Sequence, residues 1–231
     1  MPNENVPKLG IELPDEVLRK LGEGREYRNI PVGNICVRSA DEDQEVSYIV
    51  EGYATTFGSV YRLYDGRYYK IDETIDPHAF DDCDMTDVIV QYDHHGRVFA
   101  RISNNTLSLS VDAKGLKCVI DLGGTTIGRQ LYEEIKGGYT TKMSFGFIVA
   151  EDQRTETEDY ENDVTTVLRR ITKISKLFDV SAVSLPANDA TEISARSLAD
   201  GLIAGLTEER RRIAENKNKT NTLKLLLEVN K

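Results

Sequence analysis

Polar and apolar residues alternate over short stretches in the middle of the chain, a pattern that is typical of β-strands. Residues 46–57 are rich in β-branched and aromatic side chains, and residues 87–93 form a second stretch of this kind. Further stretches follow between residues 97 and 122, separated by turn residues at Asn104-Asn105 and Asp112–Gly115. Short strands at about ten-residue spacing between Asn, Asp and Gly predict a sandwich or a barrel.

One helix is predicted to interrupt these strands. Apolar residues recur every four positions from Ile127 to Ile135, which is the spacing of one helix face. Thr125 or Thr126 can cap the first turn, and Gly137-Gly138 ends the pattern.

After this helix the strand pattern returns and is broken once by an acidic stretch. Residues 140–150, 164–174 and 177–185 predict three more strands. Residues 151–163 are polar and contain no candidate core residue. We therefore expect this acidic stretch to be an exposed hairpin tip or a mobile loop.

The two ends of the chain differ from the middle. Residues 1–45 mix charged and turn residues with one short predicted helix, from Pro14 to Leu21, and we interpret them as a tail or peripheral arm. After Pro186 the pattern is helical. It starts with a capping-box-like Asp189 and Glu192 and continues as a loose apolar stripe, for which a solvated tail helix is the ordinary interpretation.

Composition narrows the function classes. Lys and Arg total 29 against 39 for Asp and Glu, and the net charge of −10 disfavours binding to nucleic acid or to an anionic membrane. The three cysteines, Cys36, Cys83 and Cys118, are widely spaced without a CxxC pair, so reduced structural thiols are expected. No apolar run approaches the about 18 residues of a membrane span, and the polar N-terminus lacks signal-peptide character. A soluble intracellular protein is expected.

Only three histidines are available as a general base near neutral pH, namely His78, His94 and His95. If alternate residues of the strand before His94 face inward, His94 lies at the strand end on the inner side, which suits a partly shielded base. Taken alone, a structural or surface histidine is the ordinary interpretation of His94. His78 follows a proline in a predicted turn, where a structural role is the simpler interpretation.

A serine and an acid stand out on the later strands. In the predicted strand, the residues on either side of Ser144 and every second residue after them are apolar, so Ser144 lies on the opposite strand face. On that face its neighbour is Gly146, which has no side chain to crowd a nucleophile. Asp179 interrupts an apolar strand, and a buried acid is costly unless it is paired. A histidine is one partner for it, and a salt bridge to Lys173, Lys176 or an arginine is the ordinary alternative.

His94, Ser144 and Asp179 together make one conceivable hydrolase triad, since triads are defined by geometry rather than by chain order. The chain contains no HExxH, GxSxG, Walker A or GxGxxG motif, which removes the usual metal, α/β-hydrolase and nucleotide hypotheses. Residue types and spacing permit a serine hydrolase and do not establish one.

Over about residues 46–196 the chain resembles the HK97-type prohead maturation proteases of tailed phages. The resemblance rests on six segments in the family's order, EGYATTF, ETIDPHAF, QYDHHGRVFAR, NTLSLSVDAKGLKCVIDL, IKGGYTTKMSFGF and LFDVSAVSLPAND. The pair MSFGF and VSAVSLPA is the most specific.

The resemblance implies a fold like that of the herpesvirus assembly proteases. This is an α+β, mainly β fold with a closed or nearly closed antiparallel β-barrel flanked by a few helices. It makes residues 46–196 the protease domain, 1–45 an N-terminal arm and 197–231 a helical tail that self-cleavage removes.

The resemblance also implies a serine endopeptidase without a cofactor. The family's Asn-His-Asp motif falls on Asp93-His94-His95, which makes His94 the base and leaves a one-residue ambiguity with His95. The motif serine falls on Ser144 and the motif acid on Asp179.

The implied partners are the major capsid protein or the scaffold protein as substrate, the chain itself in autoprocessing, and a second copy in a homodimer. No nucleic-acid or membrane partner is expected. The implied location is the assembling procapsid in the bacterial host cytoplasm. The alternative is a non-catalytic capsid-assembly or scaffold protein that has the same barrel.

Overall fold

A computed structural model describes residues 24–38, 47–184, 199, 201–208 and 210–217. Within them the fold is mainly β, as predicted. The strands are β1 (Glu26–Val37), β2 (Ile49–Thr56), β3 (Tyr61–Asp65), β4 (Tyr69–Ile75), β5 (Ile89–Tyr92), β6 (His95–Arg101), β7 (Leu107–Val111), β8 (Gly115–Asp121), β9 (Lys142–Asp159) and β10 (Val164–Val183). The helices are α1 (Thr126–Lys136) and α2, which comprises the helical residues 199, 201–208 and 210–217.

The predicted helix is confirmed as α1, and Thr125 is its cap. The Thr125 hydroxyl accepts a hydrogen bond from the Gly128 amide at 3.0 Å, and the helix buries Leu131, Tyr132 and Ile135. Local signals, namely a cap, an apolar stripe and a glycine stop, therefore suffice for this element.

The long strand β10 organises the sheet. The strands follow the order β3-β4-β10-β9-β1-β2-β8-β7, and β5 pairs with β10 and β6. One edge of β10 pairs antiparallel with β9, and its other edge pairs in parallel with β4 near its start and with β5 near its end. The expectation of a wholly antiparallel sheet is therefore wrong, because two different strands approach one edge of β10 in the same direction.

The two strands predicted for residues 164–174 and 177–185 are one strand. Register shifts between Ile171 and Asp179 bend β10 without ending it. In the sequence, such bulges interrupt the alternation of polar and apolar residues. This interruption explains why one strand was predicted as two. Among the described strands no pairing joins β3 to β7, and closure into a barrel stays a prediction.

The acidic stretch 151–163 is the outer end of the β9–β10 hairpin. Pairing continues out to Asp159 and Val164, and a short turn at residues 160–163 joins the strands. Asp163 has a positive φ of 53°, which Asp tolerates in turns. The expectation of an exposed hairpin tip is confirmed, and the mobile-loop alternative is wrong.

Residues 26–37, expected in a peripheral arm, form the central strand β1. Its first part pairs with β9 and its last part with β2. Tyr27 and Arg28 are both fully buried, so the strand is covered on both faces. The arm interpretation is wrong here because the charged residues of β1 find buried partners far away in sequence. Residues 58–75, where no element was predicted, contain the whole of β3 and β4.

Helix α2 packs on the sheet through its apolar residues. Ala199 and Leu202 are buried against Ile71 of β4 and Val167 of β10. The interpretation of a wholly solvated tail helix is therefore wrong for its first turns. The predicted helix around residues 14–21 and the capping box at residues 189–192 lie outside the described residues.

Candidate active site

The structure brings His94, Ser144 and Asp179 into one hydrogen-bonded chain. His94 Nδ1 lies 2.6 Å from Asp179 Oδ1, and His94 Nε2 lies 2.6 Å from Ser144 Oγ. The three side chains are at most 1% exposed. Groups that are 85 and 50 positions apart in sequence thus meet at one point.

Ser144 stands on the polar face of β9. Met143, Phe145 and Phe147 on the alternate positions lie in the main apolar core. Ser144 pairs with Ser181 of β10 on one side and with Asn29 of β1 on the other. Because β9 is hydrogen-bonded on both edges, the backbone of the serine is held rigidly.

Gly146 leaves room for the rest of the site. A Cβ atom at this position would lie 2.4 Å from Asp179 Oδ2 and 2.7 Å from a ring carbon of Tyr27. The Tyr27 ring in turn packs against the His94 ring, with their centroids 4.4 Å apart. The sequence predicts open space beside Ser144, whereas in the structure the acid and an aromatic ring occupy the space at Gly146.

His94 reaches the site from the β5–β6 turn. Asp93 and His94 have φ values of 50° and 63°, and two consecutive positive values are typical of a two-residue hairpin turn. The Asp93 carboxylate accepts hydrogen bonds from the Ser184 amide at 3.0 Å and the Ser184 hydroxyl at 2.9 Å. The turn, rather than the strand alternation assumed from sequence, directs the imidazole inward.

The other two histidines lie away from this cluster. His95 is the first residue of β6 and is exposed. His78 is also exposed, and its Nδ1 lies 3.0 Å from Asp81 Oδ2. Of the adjacent pair His94 and His95, His94 is therefore the one that contacts Ser144.

Asp179 is held by β10 and by a second serine. Ser181 Oγ donates a hydrogen bond to Asp179 Oδ1 at 2.8 Å. Lys173 and Lys176, the alternative partners considered from sequence, form ion pairs with Asp82 and Asp84 instead. Sequence reasoning did not single out Ser181, although its position two residues after the acid places it on the same strand face.

The acceptors around His94 determine its tautomer. An ionised carboxylate only accepts hydrogen bonds, so His94 Nδ1 carries the proton that it donates to Asp179 Oδ1. In the neutral imidazole this leaves the Nε2 lone pair facing Ser144 Oγ. Such an arrangement can take a proton from the serine hydroxyl while the acid stabilises the resulting imidazolium.

The chain was compared with models of known protein families. The model of the caudovirus prohead serine protease family matches residues 34–202. The chain belongs to this family. It is accordingly a serine endopeptidase, and the family name ties it to capsid maturation. No curated protein and no solved structure matches the chain.

A buried ionic cluster adjoins the triad of this prohead protease. Arg28 of β1 contacts Glu73 of β4, with Nε 2.6 Å from Oε1 and Nη2 3.1 Å from Oε2. Arg169 of β10 donates to Glu73 at 2.8 Å and to Glu26 at 2.7 Å. The Tyr61 hydroxyl donates to Glu73. The sequence carries no local signal for this cluster, because its members come from four strands.

Charge pairing outweighs burial in this cluster. Burial alone would lower the pKa of Arg28, but the carboxylates of Glu73 and Glu26 raise it above its ordinary value. Burial and the neighbouring Glu73 carboxylate raise the pKa of Tyr61 well above its usual range. The phenol therefore stays protonated and serves as a hydrogen-bond donor to Glu73.

Two general features of the protease complete the description. No group of three His, Cys, Asp or Glu side chains is placed to hold a metal ion within the described part of the chain. No helix among the same residues is both long and apolar enough to cross a membrane.

Proposed function

We propose that the chain is the maturation endopeptidase of a tailed-phage prohead. It cleaves the scaffold protein, or the scaffolding segment of the major capsid protein, inside the assembling procapsid in the host cytoplasm, and it also processes itself. The observation that carries the proposal is the hydrogen-bonded chain from Asp179 through His94 to Ser144. It lies within the residues that match the prohead protease family.

In the proposed mechanism Ser144 is the nucleophile. Its Oγ attacks the scissile carbonyl carbon while His94 Nε2 takes the hydroxyl proton and then delivers it to the leaving amine. Asp179 holds the imidazole in the required tautomer and stabilises its positive charge. Water then attacks the acyl-enzyme by the same route, with His94 again as the base.

Ser181 supports this mechanism as a positioning residue. Its hydroxyl donates to the same Asp179 oxygen that accepts from His94. Two donors on one carboxylate oxygen fix its orientation.

Co-expression with the capsid and scaffold proteins tests the function. We expect the wild-type chain to shorten one of them on a gel, and Ser144→Ala to lower the cleavage rate by about 10³- to 10⁶-fold. Ser108→Ala, which changes an exposed serine of β7, is the matched control. An intact substrate with the wild-type chain would favour the alternative of a non-catalytic capsid-assembly protein.

The organisation of the chain is part of the proposal. The mature protease domain spans about residues 46–196 together with the part of β1 that follows the self-cleavage site, and the sheet closes into a barrel like that of the herpesvirus assembly proteases. Self-cleavage removes the chain before that site and the helical tail 197–231. A homodimer is the proposed assembly, and light scattering on Ser144→Ala, which stays unprocessed, measures its mass.

A further inference from the structure

The first part of β1 covers the catalytic serine. Tyr27, Arg28 and Asn29 pair in antiparallel register with Gly146, Phe145 and Ser144 of β9. Ser144 is fully buried beneath this strand, and the Tyr27 ring packs against His94. A protein substrate that binds by adding a strand beside the nucleophile would need the same position.

The carbonyl group of Arg28 lies at the nucleophile. Ser144 Oγ is 2.9 Å from the Arg28 carbonyl oxygen. Since a C=O bond is about 1.23 Å long, the carbonyl carbon lies about 3–4 Å from Oγ. The hydrogen bond holds Oγ at the oxygen end of the carbonyl group, so this group must tilt before Oγ meets the carbon in a near-attack arrangement of about 3–3.5 Å. The single hydroxyl proton is shared between two acceptors, the Arg28 oxygen and His94 Nε2 at 2.6 Å. When the proton goes to His94, the serine oxygen is left beside the carbonyl group of the Arg28–Asn29 peptide bond.

The side chain of Arg28 occupies a pocket of complementary charge. Its guanidinium contacts both oxygens of Glu73, which is fully buried. Two residues earlier, Glu26 contacts Arg169 through both carboxylate oxygens, at 2.7 and 3.0 Å. Glu73 thus offers an acidic partner to the basic residue before the bond. Arg169 offers a basic partner to the acidic residue two positions earlier.

The regular pairing of β1 with β9 ends at Asn29, the residue that follows this bond. The β1–β9 register is interrupted between Asn29 and Asn34, and Pro31 within this interval has no amide hydrogen to donate. The prohead protease family match begins at residue 34, after the bond. The residues that cover the serine therefore precede the residues that the family model matches.

We propose that residues 24–29 are bound as the enzyme's own first substrate, and that the peptide bond between Arg28 and Asn29 is a self-cleavage site. This inference rests on the proposed function. It also names a specificity, namely an arginine immediately before the scissile bond, recognised by Glu73, with an acidic residue two positions earlier, recognised by Arg169.

The reaction balances without a further reactant except water. Ser144 Oγ forms an ester with the Arg28 carbonyl carbon, the bond to the Asn29 nitrogen breaks, and His94 delivers the serine proton to that nitrogen. Water then cleaves the ester, which leaves Arg28 with a free carboxylate and restores the Ser144 hydroxyl. Departure of the fragment that ends at Arg28 opens the serine to other substrates.

Intact mass spectrometry of the purified full-length chain tests the site. We expect the wild-type chain to yield a fragment ending at Arg28 and a new N-terminus at Asn29, at a rate independent of protein concentration. Ser144→Ala should yield neither product. The capsid-protein co-expression assay is run in parallel, so that the two proposals can fail separately.

The outcomes separate the two proposals. Ser144-dependent cleavage of the capsid or scaffold protein with the 28–29 bond intact, or self-cleavage only at other bonds, would overturn this inference and leave the proposed function standing. No cleavage of any protein would overturn both. Cleavage at Arg28 that persists in Ser144→Ala would point to another protease and also overturn the inference.

A double-mutant cycle tests the arginine pocket. Arg28→Gln and Glu73→Gln should each slow self-cleavage at residue 28 by at least about 30-fold, because each leaves a buried charge without its partner. The double variant should be little slower than either single one. Glu134→Gln, on the exposed face of α1, is the matched control. Circular dichroism monitors folding, and effects that simply multiply would overturn the assigned pocket.

Discussion

The space at Gly146 gives the sharpest prediction about the triad. In Gly146→Ala the new methyl carbon would lie 2.4 Å from Asp179 Oδ2, whereas ordinary contacts of this kind begin at 3.4 Å. The carboxylate must therefore move by about 1 Å, and a displacement of that size can cost about 10²-fold in rate. The methyl group also overpacks a buried site, which destabilises a protein by about 1–3 kcal/mol.

The assay separates the two effects of Gly146→Ala. The rate of Ser144-dependent cleavage of the capsid protein measures the displaced acid, and urea denaturation measures the free energy of unfolding. Gly124→Ala is the control, because a Cβ atom there has no neighbour within 4 Å. If Gly146→Ala folds and cleaves within about threefold of the wild-type rate, then Asp179 does not need the position that the structure gives it.

Three further predictions concern the turn, the ionic cluster and the thiols. Asp93→Ala should lower the free energy of unfolding by about 1–3 kcal/mol and should also lower the cleavage rate. The reason is that alanine disfavours the positive φ of 50° and lacks the carboxylate. Asp93→Asn should have a smaller effect on both quantities. Burial opposes ionisation of Glu26, but Arg28 and Arg169 outweigh it and hold its pKa below the ordinary 4.5. A lowered pKa in the folded state adds stability that is fully present above pH 4.5 and is lost as the pH falls through the folded-state pKa. Glu26→Gln should therefore destabilise the chain in urea at pH 7, and progressively less as the pH falls below 4.5. Iodoacetamide at neutral pH should alkylate the exposed Cys36 quickly and Cys118 only after unfolding, because burial raises the pKa of the Cys118 thiol to about 12; peptide mass mapping distinguishes the two.

The candidate site was accessible from sequence because its three residues lie in short segments with family-specific patterns. MSFGF and LFDVS carry Ser144 and Asp179, and the rarity of histidine directed attention to His94. These segments do not show how far apart the three side chains lie in the folded chain. The contacts of 2.6 Å on either side of His94 exist because β5, β9 and β10 are neighbours in one sheet.

Helix α1 and the turns at residues 104–105 and 112–115 follow from the sequence alone. Their caps, turn residues and apolar spacing act over a few positions, so these elements can be predicted without knowledge of the tertiary contacts. The acidic hairpin tip belongs to the same class, since a polar stretch with no apolar partner has nothing to bury.

The tertiary structure alone decided the role of β1 and the ionic cluster. Arg28 meets Glu73 across 45 positions, and Arg169 meets Glu26 across 143. Read locally, these charged residues indicate a solvated segment, because an isolated charge is costly to bury. Only the folded sheet supplies the opposite charges that make burial favourable, and in doing so it lays β1 over Ser144.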